Sequence, residues 1–270
     1  MRQKFISGRN NAFITEISKL KQKKYRNQSG LFYIEGTKLF KEVLNSGCRD
    51  KIRYIICVGE CLPSFCETCL GEGGFGDATV VTVTNEVYKK ITDEEAFEGI
   101  MCVIEKPAGD VILSYEKPVI VLCSVRDPGN VGAIIRTADA LCGDNTDIIL
   151  SDDCADIYSG KTQRAAMGAI FRHDIKISKN ITEDIANLKK NGYNIFAAHL
   201  DKNSRPITEV EFDAKTAVVF GNEGNGLDDG TVKICDEKMI IPISRDSESL
   251  NVSVAAGIVL WEMGKGLKKR

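Results

Sequence analysis

Three short polar loops in this chain carry residue types suited to binding and catalysis, and each follows an apolar run. Asp127-Pro128-Gly129-Asn130-Val131-Gly132 follows Val119–Val125. Gly221-Asn222-Glu223-Gly224-Asn225-Gly226 follows Ala217–Phe220. Ser247-Glu248-Ser249-Leu250-Asn251 follows Met239–Ile243. Short apolar runs bounded by Gly, Asn and Pro read as buried strands. Three polar loops at the ends of three strands point to one composite site.

The individual residues allow a plain reading beside a chemical one. Pro128-Gly129 is a turn signal, and Asn130 is placed to cap the helix that follows. On that helix Val131, Ile134, Ile135, Ala138 and Cys142 share a face, and Arg136 points away from it. It is either a solvated surface arginine or a cation that holds a phosphate or polarises a hydroxyl. Glu223 is a solvated loop carboxylate, or it pairs with Arg136 or steers a substrate. Ser249 or Asn251 would accept a backbone N–H at the start of the last helix. The glycines of Gly221–Gly226 fit neither the dinucleotide fingerprint nor a phosphate-binding loop. They permit close backbone approach to a ligand.

The elements that must hold these loops fall into two groups. In the first, residues 10–28 read as one helix with Lys19, Lys21, Lys23, Lys24 and Arg26 crowding its end. Strands follow at Leu31–Ile34, Ile52–Val58, Val80–Val83 and Met101–Ile104, with a helix from Gly36 to about Asn45 and a loop at Gly71–Gly76. Residues 1–105 form a small α/β domain, 106–117 a linker, and 118–270 a second domain. There strands alternate with helices, and the continuous apolar run Val119–Val125 predicts a parallel sheet buried on both faces. Helices are expected at Asn130–Cys142, Lys161–Ala169 and Thr182–Lys190. Further strands are expected at Asp147–Leu150, Ile175–Ile177 and Asn194–Leu200, and the final helix runs to about Met263.

Charge is split along the chain. The net is −2, yet residues 1–60 hold 13 Lys and Arg against 5 Asp and Glu. A basic segment on an acidic body predicts local contact with a polyanion. No apolar run is long enough to span a membrane, and the N-terminus does not read as a signal peptide, so a cytoplasmic protein without membrane contact is expected. Cys57, Cys61, Cys66 and Cys69 cluster, but their spacing is irregular for zinc and both histidines lie far away in sequence. Reduced thiols and no metal are the expectation.

The segments Asp127–Ala138, Val218–Leu227 and Ile241–Ala256 together resemble the three signature motifs of the SpoU (TrmH-like) RNA ribose 2′-O-methyltransferases, within the SPOUT superfamily. Gln163–Phe171 resembles the family's intermotif helix, although Gly160 stands where a proline is common. Lys23, Lys24, Arg26, Phe32, Ile34, Glu35 and Gly36 resemble the small RNA-binding domain that many members carry. The resemblance implies a trefoil knot in the C-terminal parallel α/β domain, S-adenosyl-L-methionine as cofactor and a homodimer. By motif position Gly221, Ile241, Leu250 and Leu200 would hold the cofactor. Arg136, Asn130, Glu223, Ser249 and Asn251 would form the catalytic cluster, and Lys23, Lys24 and Arg26 would bind RNA. The implied reaction is methyl transfer to a ribose 2′-hydroxyl, with large-subunit ribosomal RNA the favoured substrate. Transfer RNA is the alternative substrate, and the alternative roles are a non-catalytic RNA-binding protein of this fold or, more distantly, a nucleotide-dependent oxidoreductase.

Overall fold

The computed structural model describes residues 2–59, 77–107, 109, 111–244, 246 and 249–267, with Arg2, Gly266 and Leu267 described by backbone alone. Cys61, Cys66, Cys69, the Gly71–Gly76 loop, Ser247 and Glu248 lie outside the described residues. The chain forms two compact units. One comprises Met1–Ala108 with Tyr158–Phe171, and the other Gly109–Ile157 with Arg172–Arg270.

The first unit runs β1 (Arg2–Ile6), α1 (Ala12–Lys19), α2 (Lys23–Ser29), β2 (Leu31–Glu35), α3 (Thr37–Asn45), β3 (Ile52–Val58), β4 (Thr79–Val83), α4 (Asn85–Ile91) and β5 (Ile100–Glu105). The strands form one sheet in the order β1-β4-β3-β5-β2. Neighbours β1, β4 and β3 are parallel, and β5 is antiparallel to β3 and β2. Alternate residues of β2, β3 and β5 feed two apolar clusters, as strand periodicity requires. Phe32, Phe40 and Ile55 belong to one, and Tyr33, Ile56 and Tyr88 to the other.

Residues 10–28, expected as one helix, form two. The break falls at Gln22, whose backbone is extended, and Arg26 packs against it. Arg26 is 3% exposed, and its Nη1 donates to the carbonyls of Leu20 and Lys21 at 2.7 and 2.8 Å, the acceptors that the end of α1 leaves unpaired. The intermotif segment belongs to this unit too. Its rings Tyr158 and Phe171 lie 4.7 and 6.3 Å from Phe32.

The second unit begins with β6 (Val119–Leu122) and α5 (Pro128–Cys142), followed by β7 (Asp147–Ser151). The short helix α6 (Gly160–Ala166) belongs to the first unit. After it come β8 (Ile175–Ser178), α7 (Ile181–Lys190), β9 (Asn194–Ala198), β10 (Arg205–Pro206), β11 (Thr216–Phe220), α8 (Asp229–Ile234), β12 (Glu237–Ile240) and α9 (Val252–Leu267). The seven strands are ordered β10-β12-β9-β11-β6-β7-β8, and every pairing is parallel. Residues of β6, β7, β11 and the middle of β9 are buried on both faces, as the continuous apolar runs predicted.

Two strands end earlier than their apolar runs. β6 stops at Leu122 because Ser124 takes φ +56° and its N–H turns to Ser151 Oγ at 2.8 Å. β12 stops at Ile240, two residues before Pro242, which has no N–H to add to a ladder. The expected helix over Lys161–Ala169 ends at Ala166 because Met167 and Gly168 take φ +51° and +87°.

Candidate functional site

In a parallel sheet all strands deliver their following loops to the same edge. β12, β9, β11 and β6 are consecutive neighbours, so the three polar loops and the His199–Leu200 turn share one rim.

The Asp127–Gly132 loop is fixed by Asp127, whose Oδ1 accepts the Asn130 N–H at 2.9 Å and caps α5. Pro128 occupies the first turn, where its missing N–H costs nothing. A Cβ at Gly129 would lie 2.8 Å from the capping oxygen. Asp127, rather than Asn130, is therefore the cap, which releases the Asn130 amide for other partners.

That amide joins the three loops. Asn130 Nδ2 donates to Glu223 Oε1 at 2.7 Å, and Asn130 Oδ1 accepts from Asn251 Nδ2 at 3.1 Å. A carboxylate only accepts, so Glu223 fixes which way the Asn130 amide faces. Asn251 in turn caps α9. Its Oδ1 accepts from the Ser253 N–H at 2.8 Å and the Ser253 hydroxyl at 2.6 Å.

Glu223 is presented by a tight turn. Asn222 and Gly226 exchange backbone hydrogen bonds at 3.2 and 3.1 Å, and Asn222 Oδ1 accepts from the Gly224 and Asn225 N–H groups. At Gly221 a Cβ would fall 2.1 Å from the Gly226 carbonyl carbon, so this closure admits glycine alone.

Beside the junction lies a cleft of about 130 Å³. Leu200, Met239, Ile241 and Leu250 give it an apolar lining, with Ser249 and His199 the polar side chains in its wall. Of the four residues expected to hold a cofactor, Leu200, Ile241 and Leu250 line it. Gly221 is not among the lining residues; it closes the turn that presents Glu223. His199 belongs to none of the three motifs, and its only signal in the sequence is its place after β9.

Arg136 is exposed on α5 and makes no hydrogen bond or ion pair with the described residues. Six residues beyond Asn130, it lies about 9 Å further along the helix and about 120° around it. Within one chain it stands apart from the Asn130 junction. Ser249 is exposed at the cleft and likewise makes no side-chain hydrogen bond among the described residues. Behind the β6 loop, burial pushes the Cys123 thiol up to about 12 and raises Cys154, so both stay protonated near neutral pH. No group of three or more metal-ligating side chains occurs among the described residues.

Of the residues expected to bind RNA, Lys23 and Lys24 are exposed on α2. Arg26 is turned inward, and its charge serves the carbonyls of Leu20 and Lys21.

An all-parallel sheet with an apolar cleft and three convergent polar loops at its strand ends, joined in sequence to a smaller mixed sheet, defines a two-unit α/β enzyme fold. The chain belongs to the SpoU rRNA Methylase family, whose model matches residues 117–261. Residues 11–102 match the MRM3-like substrate binding domain. The chain is 31% identical over 261 residues to the 23S rRNA (guanosine(2553)-2'-O)-methyltransferase RlmP of Bacillus subtilis (strain 168), a match covering 96% of this chain and 99% of that one. The AdoMet-bound rRNA methyltransferase of Sinorhizobium meliloti has the same fold, with a TM-score of 0.84, 28% identity and 98% of each chain covered. The tRNA (guanosine(18)-2'-O)-methyltransferase of Escherichia coli (strain K12) is 31% identical over 157 residues, 56% of this chain and 65% of that protein.

Proposed function

We propose that this protein transfers the methyl group of S-adenosyl-L-methionine to a ribose 2′-hydroxyl in large-subunit ribosomal RNA. The observation that carries the reading is the Glu223–Asn130–Asn251 junction beside an apolar cleft. The lining suits the cofactor. Leu200, 66% exposed at the cleft, gains cover when a flat apolar group enters. Leu200, Ile241 and Leu250 would hold the cofactor there, partly through backbone groups, and the trefoil knot that the family resemblance implies would lie at this cleft. The match to a ribosomal RNA enzyme spans both units, whereas the match to the transfer RNA enzyme spans about half the chain, which favours ribosomal RNA.

S-adenosyl-L-methionine supplies a methyl carbon already activated by its sulfonium. The protein must align the attacking oxygen with it and ease loss of the hydroxyl proton. Asn130, held from both sides, orients the ribose. Glu223 uses Oε1 in the junction and offers Oε2 to a ribose hydroxyl. Ser249 contacts the substrate from the cleft wall. The Arg136 guanidinium acts by its positive charge, lowering the hydroxyl pKa while a substrate phosphate accepts the proton.

Arg136 makes no contact with the Glu223–Asn130–Asn251 junction of its own chain, and a second copy would bring it there, so the working form is read as a homodimer with sites completed across the interface. Val254 and Trp261, 50% and 53% exposed, stand seven residues apart on one face of α9 and offer an apolar surface to that copy. The N-terminal unit binds RNA, with Lys23 and Lys24 on phosphates. The described cysteines are free thiols, as a reducing cytoplasm requires.

The deciding experiment maps ribose methylation across ribosomal and transfer RNA in cells with and without this protein. One large-subunit position should lose its methyl group. Loss confined to transfer RNA would overturn the substrate, and an unchanged map, with no cofactor binding to the purified protein, would overturn the activity.

A further inference from the structure

The N-terminal unit contains a second cavity, of about 380 Å³, away from the sheet-edge cleft in sequence and in lining. Three rings line it: Phe13 from α1, Tyr25 from α2 and Tyr54 from β3. Phe13 and Tyr54 meet edge to face at 4.9 Å with 69° between their planes, so their walls form a corner. A flat ring entering that corner can stack on one wall while it meets the edge of the other, the arrangement aromatic quadrupoles prefer.

The polar groups at this cavity are also selective. Lys19 and Lys24 place their ammonium groups 5.6 and 5.9 Å from the centre of the Tyr25 ring. Glu16 also lines the cavity and is ion-paired with Lys19 at 2.6 Å, which compensates its charge. Gln28, on the exposed side of α2, has an amide with no partner among the described residues. Lysines, an amide and a paired carboxylate around aromatic walls are complementary to one planar, hydrogen-bonding, negatively tethered group.

We propose that this cavity receives a single unstacked nucleobase from a looped or single-stranded part of the RNA. The flanking phosphates lie along Lys19, Lys23 and Lys24. Gln28 and Glu16 meet the edge of the base, a carboxylate accepting from an exocyclic amino or ring N–H group. Stacking on aromatic side chains accepts any base, and edge contacts then rank them. The proposal rests on the RNA-methyltransferase reading and adds a substrate subsite to it. A purely base-paired RNA offers no free base, so the cavity selects for loops.

The test uses the full-length protein and a short RNA carrying 2-aminopurine at its centre, single-stranded or annealed to its complement. Wild-type protein should bind the single strand more tightly than the duplex and change the 2-aminopurine emission. Phe13→Leu combined with Tyr54→Leu keeps apolar bulk and removes two rings. It should weaken single-strand binding by about tenfold or more, abolish the emission change, and leave duplex and S-adenosyl-L-methionine binding within about twofold. If the double variant does not fold, Tyr25→Leu, which leaves the Phe13–Tyr54 pair intact, should weaken single-strand binding by about threefold or more. A folded variant that binds the single strand as wild type does would overturn the cavity assignment alone. Wild-type protein that binds the cofactor but neither RNA would overturn the RNA reading together with it.

Discussion

Asn130 and Glu223, 93 residues apart in sequence, are joined by a 2.7 Å hydrogen bond from the amide to the carboxylate. The bond ties the loop after β6 to the loop after β11. Removing it should separate substrate positioning from cofactor binding. Asn130→Ala should lower kcat by about tenfold to a hundredfold, the range for a lost hydrogen bond to a charged group. S-adenosyl-L-methionine affinity, measured by calorimetry, should stay within about twofold. A variant with unchanged kcat would remove the junction from the mechanism.

Arg136 has no partner among the described residues of its chain, which makes its contribution measurable by mixing. Arg136→Ala alone should lose about a hundredfold or more in turnover. Glu223→Ala should be impaired as well. If each site takes Arg136 from one copy and Glu223 from the other, mixed dimers of the two variants contain one site with both residues intact. Co-refolding the two should then restore activity, up to about half of wild type per mixed dimer. Light scattering that shows an active monomer would rule the arrangement out.

At Gly221 the added methyl of Gly221→Ala meets backbone, not a side chain that can move aside. The turn must open, at a cost of about 1–3 kcal/mol. Thermal unfolding should show the loss, and kcat should fall with it because Glu223 is displaced. An alanine variant with wild-type melting and turnover would contradict the closeness of this turn.

His173 predicts a pH dependence of stability. Burial lowers its pKa from the ordinary value near 6.5, outweighing the attraction of Asp139, whose oxygens are bound by Arg172 at 2.8–3.1 Å. The folded state therefore favours the neutral imidazole. Its contribution is complete above pH about 6.5 and is lost as pH falls through the lowered folded value, because the unfolded chain takes the proton first. Denaturant midpoints between pH 7.5 and 5 should fall, and His173→Gln should flatten that part of the profile. An equal slope in the variant would assign the pH dependence to other groups.

The basic end of the first unit splits into two roles. Lys23→Gln with Lys24→Gln should weaken RNA binding and reduce its salt slope by roughly one unit per lost phosphate contact. Arg26→Gln should instead lower the melting temperature, because the Leu20 and Lys21 carbonyls lose their donor. Equal salt slopes in the double variant and wild type would move the RNA surface elsewhere.

The parallel sheet and the three loops were legible in the sequence because burial on both faces writes continuous apolar runs, and loops at strand ends write Gly, Asn and Pro. The identity of the α5 cap was not, since Asp127 and Asn130 are both good caps and only geometry shows which carboxylate or amide turns back. The inward turn of Arg26 was hidden in a run of cations. Composition cannot distinguish a guanidinium that meets solvent from one that meets carbonyls. The packing of Tyr158–Phe171 into the first unit depends on contacts with Phe32, far away in sequence.

Asn251 serves two partners with the two ends of one amide. Its oxygen holds the first turn of α9, and its nitrogen holds Asn130. Each near replacement fails one of these demands. Aspartate keeps the oxygen but sets a charge against the Asn130 carbonyl. Serine caps the helix but is too short to span to the next loop. Glutamine has the amide but carries it one carbon too far for the cap. The position therefore leaves little room for neutral drift, and descendants of this gene that vary here should be those in which methyl transfer is no longer under selection.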